Sequence, residues 1–139
     1  MKRAVYLLIV PVTLITIALS QPVTLMAQET AFVEVAYGAI CQEVVDRQPI
    51  GLGDSFAVSV GKLCCFTKIV GAERPIEITH VWYFGDTERA RVPLAVRSSS
   101  WRTYSSKRIQ AHEIGDWHVD VIGPQGELFD SLRFKITLY

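Results

Sequence analysis

No stretch of this 139-residue sequence sustains helical spacing, no internal repeat or low-complexity segment breaks it up, and no heptad pattern runs through it. Those absences exclude helical bundles, solenoids and coiled coils. Net charge is also missing as a signal, since 14 basic residues balance 14 acidic ones, and a nucleic-acid partner is therefore not expected. Histidine and cysteine are scarce, at three residues each. No His-x-His or His-x3-His spacing occurs among His80, His112 and His118, so the carboxylates near them, Glu113, Asp116 and Asp120, do not complete a recognisable zinc set, and no metal or cofactor is implied.

What is present begins with Lys2 and Arg3, followed by an apolar run from Ala4 to Leu19 broken by Pro11 and two threonines. This is the layout of a secretory signal peptide, with small residues at Ser20 and Ala27 as cleavage positions and Ala27 favoured. The alternative is an uncleaved anchor, although the run falls short of the ~20 residues of a spanning helix and Pro11 would kink it. Residues 1–27 are thus assigned to the signal and residues 28–139 to a single domain, because a second core has no room. A secreted chain enters an oxidising compartment, where one bridge and one free thiol are the simplest use of Cys41, Cys64 and Cys65. Cys64 and Cys65 point to opposite faces of a strand, and Cys41–Cys65 is the expected pair. Three reduced, buried cysteines are the competing reading.

Downstream, apolar and polar residues alternate in short runs separated by Gly, Pro, Asp and Ser. The pattern predicts strands over Phe32–Ile40, Phe56–Val60, Leu63–Val70, Ile76–Phe84, Ala90–Val96, Trp101–Ile109, Trp117–Val121 and Leu128–Leu138, with Val44–Pro49 as a connection. Ile76, Ile78, His80, Trp82 and Phe84 fall on one face, as do Trp117, Val119 and Val121, with Trp82 and Trp117 expected to pack together. Pro93 places its strand at a sheet edge or beside a bulge, and Asp130–Ser131 marks an irregularity. The expected fold is all-β, an antiparallel two-sheet β-sandwich of immunoglobulin-like architecture with about seven strands.

The order Cys41, Asp46, Arg47, Pro49, then Cys65-Phe66-Thr67, His80-Val81-Trp82-Tyr83, the string from Trp101 to Lys107, Gly115-x-Trp117-x-Val119, Gly126 and Phe134-x-Ile136 resembles the bacterial family called domain of unknown function 2914. The resemblance runs over nearly the whole of residues 28–139, and Tyr104 stands where tryptophan is expected in many relatives. It implies an envelope setting, because the domain often follows membrane-spanning segments, and it implies no activity.

Two constellations remain. Ser105 and Lys107 share a strand face and could form a nucleophile and base, but the sequence shows neither a desolvated lysine nor oxyanion donors. A catalytic site is therefore not expected, and His80 with Ser105 reads as a polar pair in the core. Arg89, Arg91, Arg97, Arg102, Lys107 and Arg108 crowd into twenty positions beside Glu88. Of these, Arg89, Arg91, Arg102 and Arg108, with Tyr104, are the candidate ligand-binding residues, forming a cationic strand face suited to phosphate, sulfate or carboxylate groups. The expected function is a non-catalytic binding or assembly module in the periplasm, or anchored in the inner membrane facing it. Its expected partners are an anionic glycan, a lipid headgroup or an envelope protein, with a subunit of a membrane protein complex as the alternative and a small hydrolase as the minority reading.

Overall fold

The computed structural model describes residues 32–139, so the expected signal peptide and its cleavage at Ala27 lie outside the described residues. Ten strands follow one another: β1 (Glu34–Cys41), β2 (Glu43–Val45), β3 (Gln48–Ile50), β4 (Ser55–Ala57), β5 (Lys62–Val70), β6 (Ile76–Phe84), β7 (Thr87–Val96), β8 (Ser100–Arg108), β9 (Gly115–Ile122) and β10 (Leu128–Thr137). Seven are long and three have only three residues, so the expected count matches the long strands, and of the short ones β2 and β3 fall where no strand was expected.

The long strands divide into two sheets. One has the order β1-β5-β8 and the other β4-β10-β9-β6-β7. All pairings are antiparallel except β4 with β10. The division of the first, second and fifth long strands from the rest is that of a sandwich of immunoglobulin-like kind. Its fourth long strand, β7, stays beside the third, because a two-residue loop, Gly85-Asp86, leaves the chain nowhere else to go. Gly85 has φ 58°, the positive value that such a loop asks of its first residue and that glycine supplies without strain. β7 is one edge of this sheet, the first of the two placements that Pro93 allows.

Strand alternation builds the core. Ile40, Leu63 and Cys65 from the first sheet meet Trp82, Trp117, Val119, Phe134 and Ile136 from the second. Trp82 and Trp117 join the same cluster with Phe134 between them, edge-on to Trp82 at 6.1 Å and stacked on Trp117 at 5.8 Å. A second cluster of Ile69, Ile78, Val96 and Val121 fills the other end, with Trp101 packed against its rim.

Two segments depart from the sequence reading. Phe56–Val60, read with Leu63–Val70 as either a hairpin or one bulged strand, is instead the end of the short strand β4 followed by a 3₁₀ turn, Val58–Val60, and β4 pairs in parallel with β10. Val44–Pro49, expected to be a plain connection, falls within the β2–β3 hairpin. This hairpin places Val44 against Cys41, Cys64 and Phe66 and covers part of the outer face of the first sheet. Its loop, Asp46-Arg47, has positive φ at both residues, 50° and 60°. Asn-Gly is the usual signal for that geometry, which is why the turn was illegible in the sequence.

Candidate functional site

β8 carries the string from Trp101 to Lys107, and its burial alternates along its length. Trp101, Thr103, Ser105 and Lys107 lie on the more buried side, while Arg102, Tyr104, Ser106 and Arg108 lie on the exposed side. Each side makes a different structure.

Inward, four side chains from three strands form a closed polar network. His80 Nδ1 and Ser105 Oγ are 2.7 Å apart, His80 Nε2 and Thr67 Oγ1 are 3.1 Å apart, and Trp82 Nε1–H donates to Ser105 Oγ at 3.0 Å. Ser105 Oγ already accepts from Trp82, so its own O–H is left to donate to the histidine. We therefore assign the Ser105 proton to the bond with Nδ1 and the ring proton to Nε2, donating to Thr67. His80 is fully buried, and that burial pushes its pKa down to about 4, so the ring is neutral near pH 7. No described buried side-chain nitrogen or oxygen is left without a partner. The network crosses from β6 of one sheet to β5 and β8 of the other, which fixes the facing of the two sheets as well as their separation.

This placement separates Ser105 from Lys107. The serine is only 4% exposed and is held by His80 and Trp82, whereas the Lys107 ammonium donates to the Arg108 carbonyl at 2.7 Å. A serine nucleophile needs a base and an open approach, and Ser105 sits in the interior.

Outward, the strand borders a groove. Two adjoining hollows, of about 490 and 250 Å³, share Arg47, Trp101 and Arg102. Arg97, Tyr104 and Phe66 line the larger, and Lys68 lines the smaller. The β2–β3 hairpin brings Arg47 to one side, the turn between β7 and β8 brings Arg97 to the other, and β5 and β8 form the floor. Lys68 and Arg102 are register partners, two like charges directly opposite on an antiparallel pair. Such a pair is destabilising unless something neutralises it. Among the described residues no carboxylate lies within ion-pair distance of Arg47, Arg97, Arg102 or Lys68, and Asp46 is the acidic residue in the lining. Tyr104 is half exposed, and the rim position of Trp101 gives it contact with both the core and the groove.

The structure does not bring the five expected ligand residues together. Arg102 and Tyr104 line the groove, and Arg108 lies on the same outer face opposite Lys62. Arg89 and Arg91 sit on β7 in the other sheet and have partners. A bulge skips Arg89 in the ladder, and its Nε donates to the buried Glu113 carboxylate at 2.9 Å. Glu113 also accepts from the Gln110 N–H, and its carbonyl accepts from Trp117 Nε1–H, so this residue ties the β8–β9 loop to β7 and β9 of the second sheet. Arg91 reaches the exposed Glu88 at 2.7 Å. Arg47 and Lys68 were absent from the sequence-derived set. Alternation along β5 could have placed Lys68 outward beside Phe66, but only the register shows that it faces Arg102.

The histidines also part company. His118 stacks flat on Tyr83, with ring centroids 4.6 Å apart, on the outer face of the second sheet, and its Nε2 is 3.9 Å from Asp120, which accepts from Ser131. His80 faces the interior. Among the described residues no three His, Cys, Asp or Glu side chains gather as a metal-binding group. Cys41 does not meet Cys65. Ile40 points into the core, so Cys41 points out, and the residue opposite it is Cys64, while Cys65 packs inward and all three remain thiols.

No curated protein matches the chain. Residues 75–136 match the family described as "Protein of unknown function (DUF2914)", a span from the start of β6 into β10. That is narrower than the sequence resemblance, which extended to Cys41, Asp46 and Arg47. His80, Trp82, Arg97, Trp101, Arg102, Tyr104 and Ser105 lie within the matched span, and Thr67, Lys68 and the hairpin lie before it. Across β6 to β10, then, this chain is similar to the DUF2914 proteins, with both faces of β8 inside the likeness.

Proposed function

We propose that the protein is a non-catalytic binding module of the bacterial envelope that captures an acidic glycan in the groove between the β2–β3 hairpin and the β7–β8 turn. The observation that carries this reading is the Lys68–Arg102 pair, joined by Arg47 and Arg97 at the same hollows with no carboxylate at ion-pair distance among the described residues. Guanidinium groups accept sulfate, phosphate or carboxylate in a two-pronged fashion, and the neighbouring Trp101 and Tyr104 rings offer apolar faces for a sugar. A groove of this volume falls in the range of ordinary small-ligand sites. The lining favours a glycan over a bare membrane surface because the cations converge on a recess instead of spreading over a flat face.

Calorimetric titration of the purified protein with a heparin-derived tetrasaccharide and with neutral maltotetraose tests the reading. The sulfated ligand should bind, the neutral one should not, and affinity should fall as salt rises, as exposed charge interactions do. Arg102→Ala and Arg97→Ala should each weaken binding by about tenfold, roughly the loss of one charge-assisted contact. Binding that is unchanged in both variants, or that is seen only with phosphatidylglycerol vesicles, would overturn the glycan reading.

A further inference from the structure

Cys41 and Cys64 are register partners in the β1–β5 ladder, so their side chains leave the same face of the sheet at directly opposite positions. Residues so placed have Cα atoms ~4.5 or ~5.5 Å apart, depending on the kind of pair, and both values lie within the ~4.4–6.8 Å spanned by a disulfide. Both thiols are sealed under the hairpin, with Val44 and Phe66 as their apolar neighbours. Cys41 Sγ lies 3.7 Å from the Cys64 carbonyl and Cys64 Sγ lies 4.0 Å from the Gln42 carbonyl. Cys65, one residue along, is turned into the core by strand alternation and packs in the cluster with Leu63 and Trp82. Reaching Cys41 would require β5 to rotate its whole inner face outward.

We infer that Cys41 and Cys64 are a dithiol that closes into a cross-strand disulfide, leaving Cys65 a thiol. The two thiols differ in acidity in the sense the reaction needs. The Cys41 thiol facing Cys64 favours the Cys64 thiolate more than burial disfavours it, and with help from nearby Lys62 the Cys64 pKa is lowered to about 7, while Cys41 holds its proton. Given a small-molecule disulfide as oxidant, the Cys64 thiolate attacks one of its sulfurs, forming a mixed disulfide and expelling one thiolate. Cys41, losing its proton to solvent, then attacks the Cys64 sulfur, which forms the protein bridge and releases the second thiolate. The protein loses two electrons and the oxidant gains them, ending as two thiols. The first attack needs the hairpin to lift, because Cys64 is buried beneath it. The resulting bridge closes a loop that contains the whole hairpin and hence Arg47, tying one wall of the anion groove to the central strand of the sheet.

The test uses the intact protein, reduced and then incubated with oxidised glutathione, with free thiols counted by alkylation and mass. The wild type should retain one alkylatable thiol after denaturation, and fragmentation between the adjacent cysteines should place the label on Cys65. Cys65→Ala should lose both remaining thiols, and Cys64→Ala should keep two. Closure should raise Tm by on the order of 10 °C, as expected for a loop of this size. Should Cys65→Ala fail to fold, Cys65→Val fills the core position and the wild-type label position still decides. A label on Cys64, three labels in the oxidised wild type, or loss of both thiols in Cys64→Ala would each overturn the assignment.

Discussion

The two faces of β8 have the same neighbours in sequence and opposite relations to their surroundings. On the inner face Ser105 has its polar atom satisfied by His80 and Trp82. On the outer face Arg102 stands opposite a second cation, with no acidic partner among the described residues. Satisfied polar groups in a core specify one arrangement, because any slip leaves buried donors and acceptors unpaired. An unsatisfied like-charge pair on a surface specifies nothing about the fold and costs some stability. The difference assigns the inner face to folding and leaves the outer face free for a ligand, and it can be broken experimentally from either side.

The largest effect should come from the inner face. His80→Ala removes a buried ring and strands Thr67 and part of the hydrogen-bonding capacity of Ser105, a combination of cavity and lost hydrogen bonds worth ~3–5 kcal/mol. Urea unfolding should show this as a large fall in midpoint, and a loss below ~1 kcal/mol would mean that the network is dispensable. Acid should produce a related effect of roughly 3 kcal/mol. The folded pKa of His80 is depressed to about 4 from 6.5, so the unfolded chain takes up a proton that the folded one refuses. The stability from its neutral form is fully present above pH 6.5 and is lost as pH falls towards 4. Comparing stability against pH in wild type and His80→Gln isolates this window from the carboxylates, and parallel curves would contradict it.

This contrast was half legible in the sequence. Alternation alone separates Trp101, Thr103, Ser105 and Lys107 from Arg102, Tyr104, Ser106 and Arg108, because side chains on a strand alternate whatever lies around them. It also places His80 inward. What alternation cannot supply is register and long-range approach. Arg89 and Arg91 satisfy the same outward pattern as Arg102, and only the bulge in β7 and the path of the β8–β9 loop turn Arg89 towards Glu113. Cys41 went astray for a related reason. Its face depends on where β1 begins and on the irregularity between Val35 and Tyr37, neither of which leaves a compositional trace. The hairpin that supplies Arg47 was hidden by a turn made from Asp and Arg in place of glycine.

Glu113 gives a smaller effect and tests whether β7 belongs with the fold or with the groove. Its carboxylate is fully buried and holds both Arg89 and the Gln110 N–H, so Glu113→Gln should cost ~1–3 kcal/mol by leaving buried polar groups poorly matched. Glu88→Gln, which breaks the exposed pair with Arg91, should cost less than ~1 kcal/mol. Thermal unfolding of the two variants side by side should rank them in that order. Equal losses would mean that burial does not distinguish the two pairs.

The smallest effect on stability should come from the residue that matters most to the groove. Arg102→Ala removes one of two opposed cations, so stability should stay within ~0.5 kcal/mol of wild type or rise slightly as Lys68 is relieved. Arg102→Lys keeps the charge and the repulsion while losing the planar fork, so it should leave stability unchanged and still weaken the sulfated tetrasaccharide. Affinity and stability would then move independently at one position. If Arg102→Ala instead destabilised the protein by more than ~1 kcal/mol, the side chain would be serving the sheet through its aliphatic stem, and the outer face of β8 would belong to the fold as fully as the inner one.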